Sequence, residues 1–232
     1  MRLAFVGNGK MSRAIAQLAV ERGHTVATVI EVAENRRGEA LTAERLRDVD
    51  LVFEFTRPDA AAENLVRLAR LGQRVVSGTT GWLDRLPEVS RMVMEHGGAL
   101  LFSPNFSPGV HLFLRAARDL ARRFEGRSDF DGFVVESHHA AKRDAPSGTA
   151  VALQRELRRG APSREFPVTS IRGGYPPGTH TVVFDAPFET IRLEHEARSR
   201  QVFAAGALQA GEWLQGRTGV FTFEQMLFGE EP

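Results

Sequence analysis

Five short apolar runs lie within the first 102 residues, most of them separated by amphipathic stretches, and this alternation narrows the fold more than any other feature of the chain. The runs are Arg2 to Val6, Thr25 to Ile30, Leu51 to Phe55, Arg74 to Ser77 and Ala99 to Phe102. Helical periodicity falls near Lys10 to Arg22, Pro58 to Leu71 and Leu83 to His96. Strands joined through helices run parallel, because a crossover needs a helix-length connection whereas a hairpin needs only a tight turn. The punctuation agrees. Gly23 and Gly72 stand where a helix C-terminus calls for positive φ, and Pro58 stands at a first helical position.

The texture changes after Ser103-Pro-Asn-Phe-Ser-Pro-Gly109. A long helix over Val110 to Phe124 precedes expected strands at Phe130 to Ser137, Thr169 to Arg172, Thr181 to Asp185 and Glu189 to Glu196, forming a second, mixed or antiparallel sheet. In the last strand Ile191, Leu193 and His195 alternate with Arg192, Glu194 and Glu196, leaving one polar face for solvent or a subunit interface. A final helix near Gln201 to Leu214 returns to the first domain. The expected fold class is therefore α/β: a Rossmann-like parallel-sheet domain from residues 1–106 and 201–232, with a smaller α+β domain from residues 107–200.

Composition removes several function classes. Formal net charge is +1 with no long basic or acidic block, so neither nucleic acid nor an anionic membrane surface is called for. The absence of cysteine excludes disulfide scaffolds and thiolate zinc sites. No apolar run approaches the roughly 20 residues that span a bilayer, and no signal segment is evident, so the expected address is the cytoplasm and the expected partner a small molecule.

Gly7-Asn8-Gly9-Lys10-Met11-Ser12 follows the first strand and opens the first helix. In that context a glycine-rich turn brings backbone close to a pyrophosphate and aims N–H groups at it. Ser12 stands where the usual third glycine would be. Glu31 ends the second strand 24 residues after Gly7, near the place where a carboxylate accepts from the adenosine ribose hydroxyls. Lys10, Arg36 and Arg37 could supply charge for a 2′-phosphate, so NADH and NADPH both remain open. Gly78-Thr79-Thr80-Gly81 and Ser103-Pro104-Asn105-Phe106 follow the fourth and fifth strands, where ligands of open α/β sheets bind.

The densest chemistry is Glu136-Ser-His-His-Ala-Ala-Lys-Arg-Asp-Ala-Pro-Ser-Gly-Thr-Ala150. The expected strand end delivers His138 and His139 into a loop, and Ser147-Gly148-Thr149 opens the next helix with free backbone N–H groups. Such a loop suits an anionic, protonatable substrate. Metal binding is not expected: adjacent histidines on extended backbone point to opposite sides, and no third ligand has recognisable spacing.

With these residues in view, the chain resembles the 4-hydroxy-tetrahydrodipicolinate reductases (dihydrodipicolinate reductases) of lysine and diaminopimelate biosynthesis. Phe53-Glu-Phe-Thr56, Ser170-Ile-Arg-Gly-Gly174 and His195-Glu-Ala-Arg-Ser-Arg200 share in the likeness. The resemblance implies reduction of a cyclic unsaturated dicarboxylate by NADH or NADPH with loss of water, in a homotetramer built through the second sheet. It places His138 and Lys142 at the acid-base positions, with His139, Lys142, Ser147, Gly148 and Thr149 around the substrate. The implied cofactor residues are Gly7, Asn8, Gly9, Lys10, Met11, Ser12, Glu31, Gly78, Thr79, Thr80, Ser103, Pro104, Asn105 and Phe106.

The residue chemistry points the same way. Hydride arriving at a conjugated double bond leaves negative charge that must be protonated, and a lysine or histidine within reach does this near neutral pH. Lys142 is the first choice as donor, and with the helix start at Ser147 it also neutralises a carboxylate. His138 would orient or reprotonate it. Asp144 is expected to bond local amides or hold Lys142 or His139. His24, His96, His111, His180 and His195 read as structural or solvent-facing; Arg172, Arg198 and Arg200 could bind a carboxylate or an interface partner, although arginine on a strand edge is more often solvated. Two rival readings exist: another two-domain NAD-dependent reductase, and a non-catalytic nucleotide-sensing protein. The latter has no use for Lys142.

Overall fold

A computed structural model describes residues 1–229; residues 230–232, which the sequence reading assigns to the first domain, lie outside the described residues. Two compact units emerge, one from Met1–Phe106 with the segment beginning at Gln201, the other from Ser107–Arg200.

In the first unit every apolar run is a strand: β1 (Arg2–Val6), β2 (Thr25–Ile30), β3 (Leu51–Glu54), β4 (Arg74–Ser77) and β5 (Ala99–Phe102). Helices α1 (Lys10–Glu21), α2 (Pro58–Arg70) and α3 (Leu86–Glu95) connect them. The expected helix from Leu83 divides into a 3-10 turn, Leu83–Arg85, and α3. Pro87 has no N–H to extend an α-helical ladder back into that turn. After the second unit the chain adds α6 (Gln201–Trp213), β10 (Gly219–Thr222) and α7 (Phe223–Phe228).

All pairings in this six-stranded sheet are parallel, in the order β10-β5-β4-β3-β1-β2. β1 lies between β2 and β3, so the chain reverses its direction of travel there. The carboxyl ends of these strands form the crevice in which open α/β sheets take ligands. The inner strands β1, β3, β4 and β5 are buried on both faces, which explains why they read as continuous apolar runs rather than alternating ones, while the edge strands β2 and β10 are partly exposed. One face packs on α2 and α3 through Val52, Leu65 and Val89; the other packs on α1 and α6 through Phe5, Phe53, Ile15 and Leu208. Glycine lets α6 approach: a Cβ at Gly206 would stand 1.7 Å from the Phe106 carbonyl oxygen, and one at Gly211 would stand 2.3 Å from Leu51.

In the second unit α4 (Pro108–Phe124) and α5 (Gly148–Gly160) cover one face of a sheet made of β6 (Asp131–His138), β7 (Val168–Arg172), β8 (Thr179–Ala186) and β9 (Glu189–Glu196). The strand order is β7-β6-β8-β9, with β6 and β7 parallel and the other pairs antiparallel, so the sheet is mixed. Phe184 anchors the core, its ring 4.4 Å from that of Phe124. Truncating it to alanine would cost about 3–5 kcal/mol. Gly160 allows the helices to touch, since a Cβ there would lie 2.3 Å from the Arg118 carbonyl oxygen.

Candidate active site

Along β6 the even positions face the core: Gly132, Val134, Glu136 and His138 are buried, while Phe133, Val135 and Ser137 are only partly so. The apolar stripe thus ends in two polar side chains beneath the start of α5. This corrects one expectation. His138 is the last residue of a strand and lies buried, not in the following loop. His139 begins the loop, its N–H donating to the Pro176 carbonyl at 2.9 Å.

Glu136 is wholly buried and anchors the site. Its Oε1 accepts from the Arg172 guanidinium at 2.6 Å, and the Ser147 amide points at the same oxygen at 3.4 Å. Its Oε2 rests against His138 Nδ1. Burial works to raise the Glu136 carboxyl, yet Arg172, Ser170 and His138 overcome it and hold the group at about 2. An ionised carboxylate only accepts, so His138 Nδ1 carries the proton and Nε2 is left as an acceptor. Burial lowers the His138 pKa, Lys142 and Arg172 add to that effect, and Glu136 opposes it. His138 is therefore neutral at pH 7. Space above Nε2 depends on Gly178, where a Cβ would come within 2.7 Å.

His180 faces Glu136 across the β6–β8 ladder, and its ring lies 5.1 Å from that of His138. Its Nε2 is 3.0 Å from the Ser147 hydroxyl oxygen. Burial, with His138, His195 and Lys142 nearby, lowers His180 to about 4 against the pull of Glu136. Ser147 caps α5, its Oγ accepting from the Ala150 amide at 3.2 Å. The next residue, Gly148, is open: a Cβ there meets nothing within 4 Å. Thr149 follows at the partly exposed helix start.

One ligand atom each from Glu136, His138 and His180 falls within 4.8 Å of the others, a grouping that could hold a metal ion after some contraction. The sequence reading saw no third ligand because His180 lies on another strand. The Arg172 guanidinium already neutralises Glu136, so the cluster is charge-balanced as a hydrogen-bonded network. For Arg172 the structure favours carboxylate binding over the solvated reading. It is not a solvated strand-edge arginine, for it bonds Glu136 and the Asp144 carbonyl, the latter at 2.7 Å.

Lys142 Nζ donates to both carboxylate oxygens of Asp144, at 2.7 and 2.9 Å. The lysine is partly buried, with its side chain 21% exposed, and the aspartate is 58% exposed. Pairs this open hold weakly, so an incoming carboxylate can take the place of Asp144 at small cost.

The candidate cofactor residues gather at the carboxyl edge of the first unit's sheet. Gly7 adopts φ +93, and a Cβ on it would stand 2.3 Å from the Phe55 carbonyl oxygen. Gly9 is the N-cap of α1; no side chain caps that helix, and a Cβ at Gly9 meets nothing within 4 Å. Backbone N–H groups of Lys10, Met11 and Ser12 occupy that first turn, with no acidic residue among them. The small, buried Ser12 fits the close-packed third position. Asn8 donates to Glu31 at 2.8 Å, holding the acid just past β2. These features suit a dinucleotide: an open turn for the pyrophosphate and a positioned carboxylate for the ribose.

Beyond β4, the Thr79 carbonyl accepts from the Trp82 indole at 2.8 Å and the Thr79 hydroxyl accepts from the Thr56 amide at 2.8 Å, while Gly78 and Thr80 flank this pinned residue. Beyond β5, Ser103 and Asn105 close a local turn with Pro104 between them. Phe106 sits in the core between Phe55 and Phe223, at ring distances of 5.9 and 5.2 Å.

Two family models match the chain: "Dihydrodipicolinate reductase, N-terminus" over residues 1–106 and "Dihydrodipicolinate reductase, C-terminus" over residues 109–227. A 4-hydroxy-tetrahydrodipicolinate reductase of Christiangramia forsetii is 32% identical over 98% of this chain and 98% of its own length. One from Methanopyrus kandleri is 37% identical over 79% of this chain and 73% of its own. Among solved structures, a dipicolinate-bound dihydrodipicolinate reductase from Paenisporosarcina superposes with a TM-score of 0.81 at 20% identity, covering 97% of this chain and 99% of that one.

Proposed function

This chain belongs to the dihydrodipicolinate reductase family, and from that premise we propose the following division of labour: the first unit holds a reduced nicotinamide dinucleotide, NADH or NADPH, and the second binds the substrate. The reaction is reduction of 4-hydroxy-tetrahydrodipicolinate to tetrahydrodipicolinate, with loss of water, in the diaminopimelate route to lysine. When bound, the dihydronicotinamide supplies a hydride.

The chain's own residues supply the rest. Lys142 exchanges Asp144 for a substrate carboxylate, and the N–H groups at Gly148 and Thr149 receive negative charge at the start of α5. His139 borders the same loop. Hydride addition leaves an electron pair on the conjugated system, and the Lys142 ammonium delivers the proton that quenches it. His138 is neutral and held by Glu136, so it acts through the Nε2 lone pair, accepting from and orienting its neighbours rather than serving as an acid at pH 7. The observation that carries this assignment is the pairing of a displaceable Lys142–Asp144 bridge with a buried, electrically balanced Arg172–Glu136–His138 network. A dicarboxylate, dipicolinate, occupies the structural relative named above, which supports the substrate class.

Assembly into a homotetramer through the second sheet is part of the same reading. No helix covers the face bearing Phe133, Val135 and Ile171 among the described residues, and Ile171 is 52% exposed. No described helix is long and apolar enough to cross a membrane, and the proposal places the enzyme in the cytoplasm with its diffusible substrate. The test is turnover of purified protein, followed as cofactor absorbance with and without the condensation product of aspartate semialdehyde and pyruvate. Oxidation that requires this substrate supports the reading; none with either cofactor overturns it.

A further inference from the structure

The last residue of β3 is Glu54, a carboxyl with no exposed surface at the carboxyl edge of the first unit's sheet. Packing does not ask for it. Leu51, Val52 and Phe53 satisfy the same strand with apolar groups, and a buried carboxyl carries a desolvation cost that valine would avoid. Burial pushes the Glu54 carboxyl up, opposed by hydrogen bonds from Thr56, Ser77, Thr79 and Asn64.

What Glu54 holds is ordered. Thr56 donates its hydroxyl to Oε1, and Ser77 donates its own to Oε2 at 2.7 Å. The Glu54 carbonyl accepts from the Gly78 amide at 3.1 Å. Thr56 in turn gives its amide to the Thr79 hydroxyl at 2.8 Å, inside the loop beyond β4. In the other direction the buried Asn64 of α2 reaches the Thr56 hydroxyl at 3.4 Å and accepts from the Asn35 side chain at 2.9 Å. Asn35 closes the loop that begins at Glu31, accepting from the Ala40 amide at 3.2 Å. A continuous chain of buried and half-buried polar groups therefore runs from the loop after β2, through α2 and β3, to the loop after β4.

We propose that Glu54 is a positioning residue for the dinucleotide, joining the ribose-side loop at Glu31–Asn35 to the loop at Gly78–Thr80, beyond β4 on the same carboxyl edge, through Thr56 and Asn64. The proposal rests on the reading that the first unit binds the cofactor. Glu54 does not touch the cofactor. It acts by fixing Thr56, Ser77 and Thr79, so that both loops are set before the ligand arrives and little ordering remains to be done on binding.

The experiment compares NADH and NADPH binding, by titration calorimetry, for the full-length protein and its E54A, E54Q and N64A variants, together with kcat, the KM of each substrate and thermal midpoints. E54A and N64A are expected to weaken cofactor binding about tenfold and raise cofactor KM alike, with kcat and substrate KM changed less than about threefold. E54Q keeps the hydrogen-bonding shape and is expected to recover most of that loss. If E54A does not fold, E54Q and N64A decide. Folded variants that bind cofactor as the parent does, or that lose only thermal stability, overturn the proposal. A parent protein that binds neither dinucleotide overturns the cofactor reading instead.

Discussion

His138 Nδ1 lies against the Glu136 carboxylate, both side chains on the buried face of one strand, and this contact fixes which histidine nitrogen is left to act. Replacing Glu136 with glutamine keeps an acceptor for Arg172 but removes the charge that selects the tautomer. Glu136→Gln is expected to lower kcat about tenfold with cofactor KM unchanged, measured by steady-state kinetics.

Acid sensitivity follows from depressed groups, His180 and Glu136 foremost, with His138 and His195 lowered as well. Burial, helped by His138, His195 and Lys142 and opposed by Glu136, takes His180 from an ordinary 6.5 to about 4 in the folded chain. The unfolded chain therefore binds the extra proton first, and stability is fully present above pH 6.5 and drops as pH falls toward 4. The loss is about 3 kcal/mol. Glu136, lowered from 4.5 to about 2, extends the loss through the window below pH 4.5. Denaturant midpoints between pH 7 and 4 should show the first slope, and His180→Gln should flatten it.

Asp144 binds Lys142 in an exposed pair, so Asp144→Asn is expected to change stability by less than about 1 kcal/mol. Freed of its partner, Lys142 should meet substrate more readily. Substrate KM is expected to fall or stay level while thermal unfolding is unaltered.

Much of this was legible in the residues, and the exceptions have physical causes. β1, β4 and β5 are largely buried on both faces and bounded by glycine or proline, so composition alone marks them; β2, the half-exposed edge strand, is marked by its β-branched run after Gly23. Local spacing likewise exposed Ser147 as a cap and left Lys142 among the possible partners of Asp144, beside local amides and His139. Glu136, Arg172 and His180 escaped, because their meeting depends on the register of three strands distant in sequence. The segment after Leu214 also escaped, although Thr222 and Gln225 form a capping box that opens α7. Its short strand β10 pairs with β5, and nothing local reveals that partner.

On the proposed reading Glu31, held by Asn8 at 2.8 Å, is the residue that would set cofactor choice. Arg45, from the following loop, is paired with Glu34 at 2.7 Å. A fixed carboxylate accepts from ribose hydroxyls and repels a 2′-phosphate, so NADH is expected to be the better substrate. Glu31→Ala should raise the KM for NADH about tenfold and lower that for NADPH, read from initial rates with each cofactor.

The most direct measurement is turnover by Lys142→Ala alongside its cofactor affinity. With Lys142 as both carboxylate partner and proton donor, kcat/KM is expected to fall about 10²-fold or more while NADH or NADPH binding stays within a few-fold. A folded Lys142→Ala enzyme that retains kcat/KM within a few-fold of the parent would contradict the role given to this lysine.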